Sequence, residues 1–320
     1  MDLGLLETIA AIPSTAGDEG KMRDFIVNYF ANNAKSFQST PQVFSGPGFQ
    51  DMVIAVFGEP RTAVFAHTDT VAYTVGYNKA LIKIGNPKAK DGAKLVGVDS
   101  KGEIKCTLVS KKAEAKGKKK KKAKKGEEEI LTYAYSRAIA PGTVLTYAPN
   151  FKATKEFVKT PYLDNRLGVW NALQQAKWLK NGALVFSTYE EHGGGAAQFA
   201  GRFLQENFSV QQALISDVTL LSDSIKHKQG VAISMRDRGI PRRSFVNHII
   251  AIAKENEINF QLEVEKAGGS DGNALQDSSY AWDWCFIGPP EDNYHQPGEK
   301  VSKTDIKEMV ALYRVLLEEL

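Results

Sequence analysis

The sequence predicts an α/β protein in which a mixed sheet lies between two layers of helices, with a smaller all-β domain inserted into it. Outside residues 72–157, apolar runs typical of buried strands alternate with segments of helical periodicity, as in open α/β sheets. Within residues 72–157 the sequence pattern changes to short β-like runs separated by Gly, Asn and Asp. We therefore expect one domain formed by residues 1–71 and 158–320, and an inserted β domain formed by residues 72–157.

The part before the insert contains two predicted helices and two predicted strands. Apolar residues recur at helical spacing over residues 2–11, and Pro13 follows that segment. A second helix is predicted over residues 18–33, where the large apolar residues share one face. The short apolar runs 51–58 and 62–69 are bounded by breakers and therefore predict strands.

The insert consists of short strands and one lysine-rich segment. The predicted strands lie near residues 80–85, 93–98, 103–110, 129–136 and 142–148. Residues 111–129 contain ten Lys and four Glu, so the remainder of the chain is slightly acidic although the net charge is +4. We expect the lysine-rich loop 111–125 to be a solvated segment. A nucleic-acid contact is less favoured, because no aromatic residue interrupts the lysines, and docking to an acidic partner remains open.

Strands and helices alternate again after the insert. Residues 164–180 predict a strong amphipathic helix, and residues 183–191 predict a buried strand. The remaining predicted helices are 195–205, 244–257 and 304–320. The remaining predicted strands are 212–219, 259–265, 281–288 and one that begins near residue 230. No internal repeat is visible.

Composition excludes several classes of protein. The 320 residues are 42% hydrophobic and 24% charged, which excludes collagens and disordered chains. Two distant cysteines, Cys106 and Cys285, give no disulfide framework and fit a reducing compartment. No apolar run reaches the roughly 18 residues that a membrane span needs, and the N-terminus lacks the basic start of a signal peptide. We expect a cytoplasmic protein that does not act at a membrane.

Acidic and histidine residues follow several predicted strands at the point where each strand ends. The members of this set are His67, Asp69, Glu190, Glu191, Asp217 and His295, and Asp164 opens a helix. Ligands of open α/β sheets collect outside the carboxyl ends of the strands. We therefore expect these side chains to lie together at one edge of the sheet.

Such a cluster suits divalent metal ions. Neighbouring carboxylates repel one another unless a cation neutralises them, and imidazole with carboxylate suits Zn²⁺ and related ions. Five ligands exceed the three of a single catalytic zinc but fit two ions that share one carboxylate. One of Glu190 and Glu191 could then bind metal while the other acts as a base. Taken singly, Asp164 and Asp217 could instead be helix N-caps, and the glutamate pair could lie on a solvated face.

The same segments resemble the glutamyl-aminopeptidase or tetrahedral-aminopeptidase family of dinuclear zinc exopeptidases. They occur in the order of that family and span nearly the whole chain, and the β insert lies where the family carries its extra domain. The matching segments are IPSTAGDEG (12–20), AHTDT (66–70), YLDNRLG (162–168), STYEEHGGGAA (187–197), SDVT (216–219), GGSDGNAL (268–275) and YHQPGE (294–299).

This resemblance implies a catalytic mechanism and a role for each residue. One metal would be held by His67, Asp164 and Asp217, and the second by Asp164, Glu191 and His295, with Asp164 bridging. The resemblance further implies that Glu190 is the general base for a metal-bridged water and that Asp69 orients His67. Two divalent ions are expected, Zn²⁺ first, with Co²⁺ or Mn²⁺ as alternatives. The metal ligands implied are His67, Asp164, Glu191, Asp217 and His295.

The resemblance implies an aminopeptidase that removes N-terminal residues from peptides. A carboxypeptidase, a tripeptidase or an N-acyl deacylase on the same site is the main alternative, and a non-catalytic protein acting through the lysine loop is a remote one. Family members form dimers that build larger shells, so we expect a homo-oligomer in which the insert supplies the dimer contact. The residues that contact substrate are not predicted.

Overall fold

The computed structural model describes residues 1–112 and 129–320. Its helices are α1 (Leu3–Ala10), α2 (Gly20–Asn33), α3 (Leu163–Gln175), α4 (Ala196–Phe208), α5 (Arg243–Glu255), α6 (Asp271–Gln276) and α7 (Lys303–Glu319). Its first strands are β1 (Gln42–Phe44), β2 (Val53–Phe57), β3 (Thr62–His67), β4 (Ala72–Val75), β5 (Leu81–Ile84), β6 (Lys94–Asp99), β7 (Gly102–Lys112), β8 (Glu129–Ala134) and β9 (Val144–Tyr147). Its later strands are β10 (Lys152–Ala153), β11 (Phe157–Thr160), β12 (Gly182–Ser187), β13 (Gln212–Ser216), β14 (Thr219–Leu220), β15 (Val231–Arg236), β16 (Phe260–Val264), β17 (Asp283–Gly288), β18 (Pro290–Asp292) and β19 (Glu299–Ser302).

The main sheet has eight strands in the order β1-β2-β12-β3-β13-β17-β15-β16. Its four central strands, β12, β3, β13 and β17, run parallel to one another. Antiparallel pairing appears between β12 and β2 and between β17 and β15. The sheet is therefore mixed, with its parallel strands at the centre, where their carboxyl ends share one edge.

Helices cover both faces of this sheet, which confirms the predicted three-layer architecture. Alternate residues of each central strand point to opposite sides. In β3, Val64 and Ala66 pack in a cluster with α2, α3, α5 and α7, whereas Ala63 and Phe65 pack with α4 and α6. Both faces of the strand are thus buried, which explains why the apolar runs of the sequence are continuous rather than alternating.

A second sheet of six strands has the order β5-β4-β9-β6-β7-β8. It has its own hydrophobic cluster, built around Tyr73, Leu95, Leu108 and Leu145. An isolated bridge between Ala80 and Thr132 brings the two ends of the sheet together, so that it is nearly closed. The short strands predicted before and after the lysine-rich segment all belong to this sheet.

A third sheet of five short strands, β10-β11-β19-β18-β14, was not predicted. Two of its strands are only two residues long, and β11 pairs with β19, which lies about 140 positions further along the chain. Such short pieces have no periodicity of their own that a sequence pattern can reveal.

The helix predicted over residues 164–180 is shorter than expected and is not amphipathic. Helix α3 ends at Gln175 and is buried on nearly all sides. Several of its polar side chains bond to protein groups; the side chain of Gln175, for example, donates to Asn171 Oδ1 and to the carbonyl oxygen of Val310 in α7. Asn171 Nδ2 donates to Ser216 Oγ in β13, so the polar side chains of α3 face several neighbouring elements rather than solvent.

The lysine-rich loop 111–125 lies almost wholly outside the described residues, since only Lys111 and Lys112 are included, at the end of β7. Within residues 1–112 and 129–320, every helix is too short or too polar to span a bilayer.

Candidate metal centre

The parallel strands deliver most of the predicted site residues to one edge of the main sheet. His67 is the last residue of β3, and Asp217 directly follows β13. Glu190 and Glu191 lie in the loop after β12, and His295 lies in the loop after β18, which itself follows β17. Asp164 lies at the first turn of α3. The structure thus brings all of the predicted residues together.

Two groups of ligand atoms are formed, and Asp164 belongs to both. The first group contains His67, Asp164 and Asp217, and the second contains Asp164, Glu191 and His295. In each group the possible ligand atoms lie within 4.8 Å of one another.

The two oxygens of the Asp164 carboxylate face different histidines. Oδ1 lies 3.1 Å from His67 Nε2, and Oδ2 lies 3.2 Å from His295 Nε2. Asp217 Oδ2 lies 3.5 Å from His67 Nε2, and Glu191 Oε1 lies 3.1 Å from His295 Nε2. The carboxylate of Asp164 is therefore placed between the two groups.

The second nitrogen of each histidine is held by a main-chain oxygen. His295 Nδ1 lies 3.0 Å from the carbonyl oxygen of Asn86. His67 Nδ1 lies 3.2 Å from the carbonyl oxygen of Asp69 and 3.5 Å from its carboxylate Oδ1. An Nδ1–H that donates to oxygen leaves the Nε2 lone pair directed into the cluster, as metal binding requires.

The carboxylate of Asp69 holds the loop that carries the two glutamates. Its Oδ1 accepts the N–H of Glu190 at 3.0 Å, and its Oδ2 accepts the N–H of Glu191 at 2.9 Å. The strand β12 ends earlier than predicted, at Ser187, so the glutamates are not constrained to opposite faces. Tyr189 has φ 62° in the turn between them and the strand, which lets both side chains reach the cluster.

Positive φ angles recur beside the ligands. Besides Tyr189, Tyr162 has φ 69° two residues before Asp164, and His295 itself has φ 59°. Each such conformation costs on the order of 1 kcal/mol or more for a residue with a Cβ, and these conformations concentrate at functional sites. The surrounding fold therefore holds these ligands in position against a local preference.

The cluster contains more carboxylates than imidazoles, and each group changes the pKa of its neighbours. Burial alone would lower the pKa of His67, but the carboxylates of Asp217 and Asp164 outweigh it and raise that pKa well above its ordinary value. In the same way, the carboxylates around His295 overcome burial and raise its pKa to about 10. Burial raises the pKa of Glu191 to about 7. So dense a set of carboxylates favours any bound positive charge.

Glu190 differs from the other members of the cluster. Its Oε2 lies 3.9 Å from His67 Nε2, and its side chain is 20% exposed, so it borders both the cluster and the space in front of it. Burial, together with the neighbouring carboxylates, raises the pKa of Glu190 well above its ordinary value.

Sequence reasoning named none of several buried acids around this cluster, although all but one lie inside the matching segments. Glu299 Oε2 accepts the N–H of Asp164 at 3.1 Å. Glu19 Oε1 accepts the N–H of Tyr189 at 3.2 Å, and Asp271 Oδ2 accepts the hydroxyl of Ser187. The remaining one, Glu291, is fully buried and has no hydrogen-bond partner among the described residues. The one signal for Glu291 was its position directly after the run of uncharged residues 284–290.

Two cavities open in front of the cluster and meet at Glu190. The larger, about 790 Å³, is lined by all five predicted ligands and extends to the ends of β15 and β16. The smaller, about 440 Å³, is lined by Glu190 and Arg238 but by none of those ligands. A peptide-sized molecule therefore has room on both sides of Glu190.

Comparison with solved structures shows that this fold is a known one. An aminopeptidase from the archaeon Desulfurococcus kamchatkensis superposes with a TM-score of 0.83 at 17% identity, over 99% of this chain and 94% of the other. The TET1 peptidase of Pyrococcus horikoshii superposes with a TM-score of 0.79 at 20% identity, over 99% of each chain. At these sequence identities, both comparisons show that the fold is shared.

Sequence comparisons define the family. A curated sequence from Acetivibrio thermocellus, named as a candidate aminopeptidase, is 31% identical over 162 residues. That match spans 47% of this chain and about half (48%) of the relative. The model of the M42 glutamyl aminopeptidase family matches residues 52–312, which includes all five predicted metal ligands. The predicted resemblance is confirmed: the chain belongs to the M42 glutamyl aminopeptidase family.

Proposed function

We propose that the protein is an aminopeptidase that removes residues from free peptide N-termini with the help of two divalent metal ions. The observation that carries this proposal is the placement of Asp164 between two imidazoles, with one carboxylate oxygen toward each. That arrangement is what a carboxylate shared by two ions needs.

The donor atoms fit divalent metal ions. Glu191 Oε1 is buried and forms no hydrogen bond, although His295 Nε2 is only 3.1 Å away. An oxygen and a nitrogen that are close but not aligned with each other are typical of two ligands directed at a common ion. His67, Asp164 and Asp217 would hold one ion, and Asp164, Glu191 and His295 the other. Imidazole with carboxylate favours Zn²⁺, and Co²⁺ or Mn²⁺ would also be accepted.

Glu190 has the properties of a general base. It borders the cluster without belonging to either ligand group, and burial raises its pKa well above the ordinary value, which favours its taking up a proton. We propose that Glu190 removes a proton from the attacking water and passes it to the leaving amine. Bound metal ions would supply Lewis-acid activation of the water and of the peptide carbonyl. Asp69 fixes the main chain of both glutamates during these transfers.

Peptide digests read by mass spectrometry test the proposal. Each peptide is paired with its N-acetylated form, and a chelator is added as a control. Stepwise loss from free N-termini alone, stopped by chelator, is the expected result. Loss from the C-terminus, or of the acetyl group, would instead favour a carboxypeptidase or a deacylase on the same site. Metal analysis of the active protein identifies the ion.

We also propose that the inserted domain of residues 72–157 takes part in a homo-oligomer. The six-stranded sheet exposes large apolar side chains, among them Tyr77, Ile82, Val98 and Ile130, which are 80%, 60%, 62% and 51% exposed. Apolar groups gathered on one small domain are typical of a protein interface. The TET1 peptidase of Pyrococcus horikoshii is described as assembling into a tetrahedron or an octahedral shell. The cytoplasmic location stays a prediction.

A further inference from the structure

The larger cavity carries more negative charge than the metal centre can account for. Besides the cluster, it is lined by three further carboxylates, those of Asp237, Glu263 and Glu265. No Lys or Arg side chain among the described residues lines it. Two divalent ions would balance the four carboxylates of Asp164, Glu190, Glu191 and Asp217, but they would leave these three without a cation. Neutral donors do contact two of them, since Glu263 Oε1 accepts the hydroxyl of Thr219 and Asp237 Oδ1 accepts two N–H groups.

The three carboxylates lie together because of how β15 and β16 pair. These strands are parallel and shift register between Ser234 and Arg236, and the N–H of Glu265 then bonds to the carbonyl oxygen of Arg236. Asp237 and Glu265 therefore lie side by side just beyond the ends of β15 and β16. Glu263 lies two residues before Glu265, on the same face of β16. Among the described residues, none of the three forms an ion pair with a Lys, Arg or His side chain.

Two of these carboxylates are almost completely buried. Asp237 is 6% exposed and Glu263 is 4% exposed. Asp237 Oδ1 accepts the N–H of Gly239 and the amide of Asn273, but its Oδ2 accepts no hydrogen bond from the described residues. An oxygen of this kind in the wall of a cavity is suited to a cationic ligand.

The mutual influence of the three groups supports the same conclusion. Burial raises the pKa of Glu263, and the charges of Glu265 and Asp237 raise it further. The side walls of the cavity include Val218, Leu220 and Phe286, which are apolar. A long aliphatic stem that ends in a cation matches apolar walls and an acidic end.

The two cavities have distinct places relative to the proposed reaction. Glu190 would donate its proton to the leaving amine, so the leaving peptide lies on the side of Glu190. The smaller cavity contains Glu190 without any ligand of the cluster, and it contains Arg238. The larger cavity contains all five ligands, where the N-terminal residue of the substrate would be held.

We propose that Asp237, Glu263 and Glu265 form the pocket for the side chain of the N-terminal residue and select lysine or arginine there. This inference rests on the proposed aminopeptidase function and specifies its substrate class. It differs from the glutamyl preference that the family description names, because a glutamate side chain would meet three carboxylates and no described Lys or Arg.

Four tripeptides test the pocket, with Lys, Arg, norleucine or Glu before Ala-Ala. Norleucine has nearly the shape of lysine without its charge. We expect kcat/KM for Lys and Arg to exceed that for norleucine by about tenfold or more, the size of a charged hydrogen bond in a partly buried site. Glu should be the poorest of the four substrates.

Matched variants identify the residues responsible. Glu265→Gln removes a charge from the cavity wall at a partly exposed position, and Asp237→Asn keeps an oxygen acceptor for Gly239. Each should lower the ratio of kcat/KM for Lys to that for norleucine by at least about threefold. Glu255→Gln removes the same charge from an exposed site on α5 and should leave the ratio unchanged. Circular dichroism confirms that each variant is folded.

The outcomes separate this inference from the function on which it rests. Equal use of Lys and norleucine, or a preference for Glu, overturns the pocket assignment while the cleavage itself supports an aminopeptidase. An equal loss for all four substrates in both pocket variants also overturns it, since the effect would then be structural or would concern the α-amino group. No chelator-sensitive cleavage of any free peptide overturns the aminopeptidase function and this inference together.

Discussion

Single side chains of the metal centre are positioned by neighbours that do not touch the reacting atoms. Asp164 has its main-chain N–H held by Glu299, and the loop of Glu190 and Glu191 has both N–H groups held by Asp69. Charged acceptors of main-chain N–H groups form stronger hydrogen bonds than neutral ones. The positions of Asp164 and of the two glutamates therefore depend on further carboxylates, which makes Glu299 and Asp69 sensitive points for mutation.

Glu190→Gln should abolish turnover while leaving metal bound. The amide has the same shape but cannot accept the proton of the attacking water, and loss of a general base costs about 10²- to 10⁴-fold in kcat. Peptide cleavage gives kcat, and elemental analysis gives the metal content per chain. A variant that keeps kcat close to that of the parent would show that Glu190 is not the base.

Asp69→Asn should lower kcat by about 10- to 100-fold. Asparagine offers one oxygen where the carboxylate offers two, so an N–H of Glu190 or Glu191 faces an NH₂ group. Asp305→Asn is a matched control, because its carboxylate accepts the N–H groups of Lys228 and Gly230 in the same way far from the cavity. If both variants lost only stability, Asp69 would have no specific role in the reaction.

At the scale of the elements, close contact between α3 and β13 determines where Asp164 and Asp217 meet. A Cβ on Gly168 would lie 1.9 Å from the carbonyl oxygen of Ser216 and 2.2 Å from Asn165 Oδ1. The side chain of Asn165 also donates to that carbonyl oxygen, at 2.8 Å. A glycine is required here by close approach of helix and strand.

Gly168→Ala should destabilise the protein by about 1–3 kcal/mol, since an added methyl group forces the helix away from the strand. Gly4→Ala in α1 is the control, because its Cβ would meet nothing nearer than 3.8 Å. Alanine in a helix should stabilise by up to about 1 kcal/mol. Urea unfolding measures the free energy of unfolding of both variants. Equal stability of the two variants would contradict the assigned contact.

At the scale of the whole molecule, the inserted sheet contributes to the metal centre of the main sheet. The segment between β5 and β6 supplies the Asn86 carbonyl oxygen that holds His295, and the N–H of Lys88 bonds to the carbonyl oxygen of His295. Lys88 Nζ lies 3.9 Å from the ring centre of Tyr294, which stacks on His295. Movement of the inserted sheet would therefore displace His295, a proposed metal ligand.

Val98→Asp should weaken the proposed oligomer, because it places a charge at an exposed apolar position of the six-stranded sheet. Val264→Asp is the control, since Val264 is similarly exposed, at 68% against 62%, but lies at the edge of the main sheet. Light scattering after gel filtration gives the mass of each. Dissociation by Val264→Asp alone would assign the interface to the main sheet instead.

Stability of the metal-free protein should fall as pH rises from about 4.5 to 7. Burial, and then the charge of Asp69, raise the pKa of Glu19 to about 7, so the folded state binds a proton that the unfolded state releases near pH 4.5. The stability that protonated Glu19 contributes is fully present below about pH 4.5, and it is lost as the pH rises to the pKa of about 7 in the folded state. Glu19→Gln should reduce this fall by on the order of 3 kcal/mol. A parallel pH dependence in both proteins would contradict it.

Local patterns in the sequence were sufficient for most of the architecture. Continuous apolar runs such as 62–69 mark strands buried on both faces, and the chain order of strands and helices then indicates a central parallel sheet. His67, Asp217 and the glutamate pair were found because parallel strands end at one edge. That rule depends on chain direction alone, so it needs no knowledge of contacts.

Tertiary contacts decided what local patterns could not. Helix α3 is buried because α1, α7, β3 and β13 pack around it. The five-stranded sheet forms from pieces too short to have periodicity, and β12 ends early enough to free Glu190. The partners of Asp164, and the three acids at the far end of the cavity, come from segments distant along the chain. The sequence by itself determined which residue types reach the sheet edge, because that follows from strand direction. Which atoms face each other there was decided by packing between elements, which periodicity does not encode.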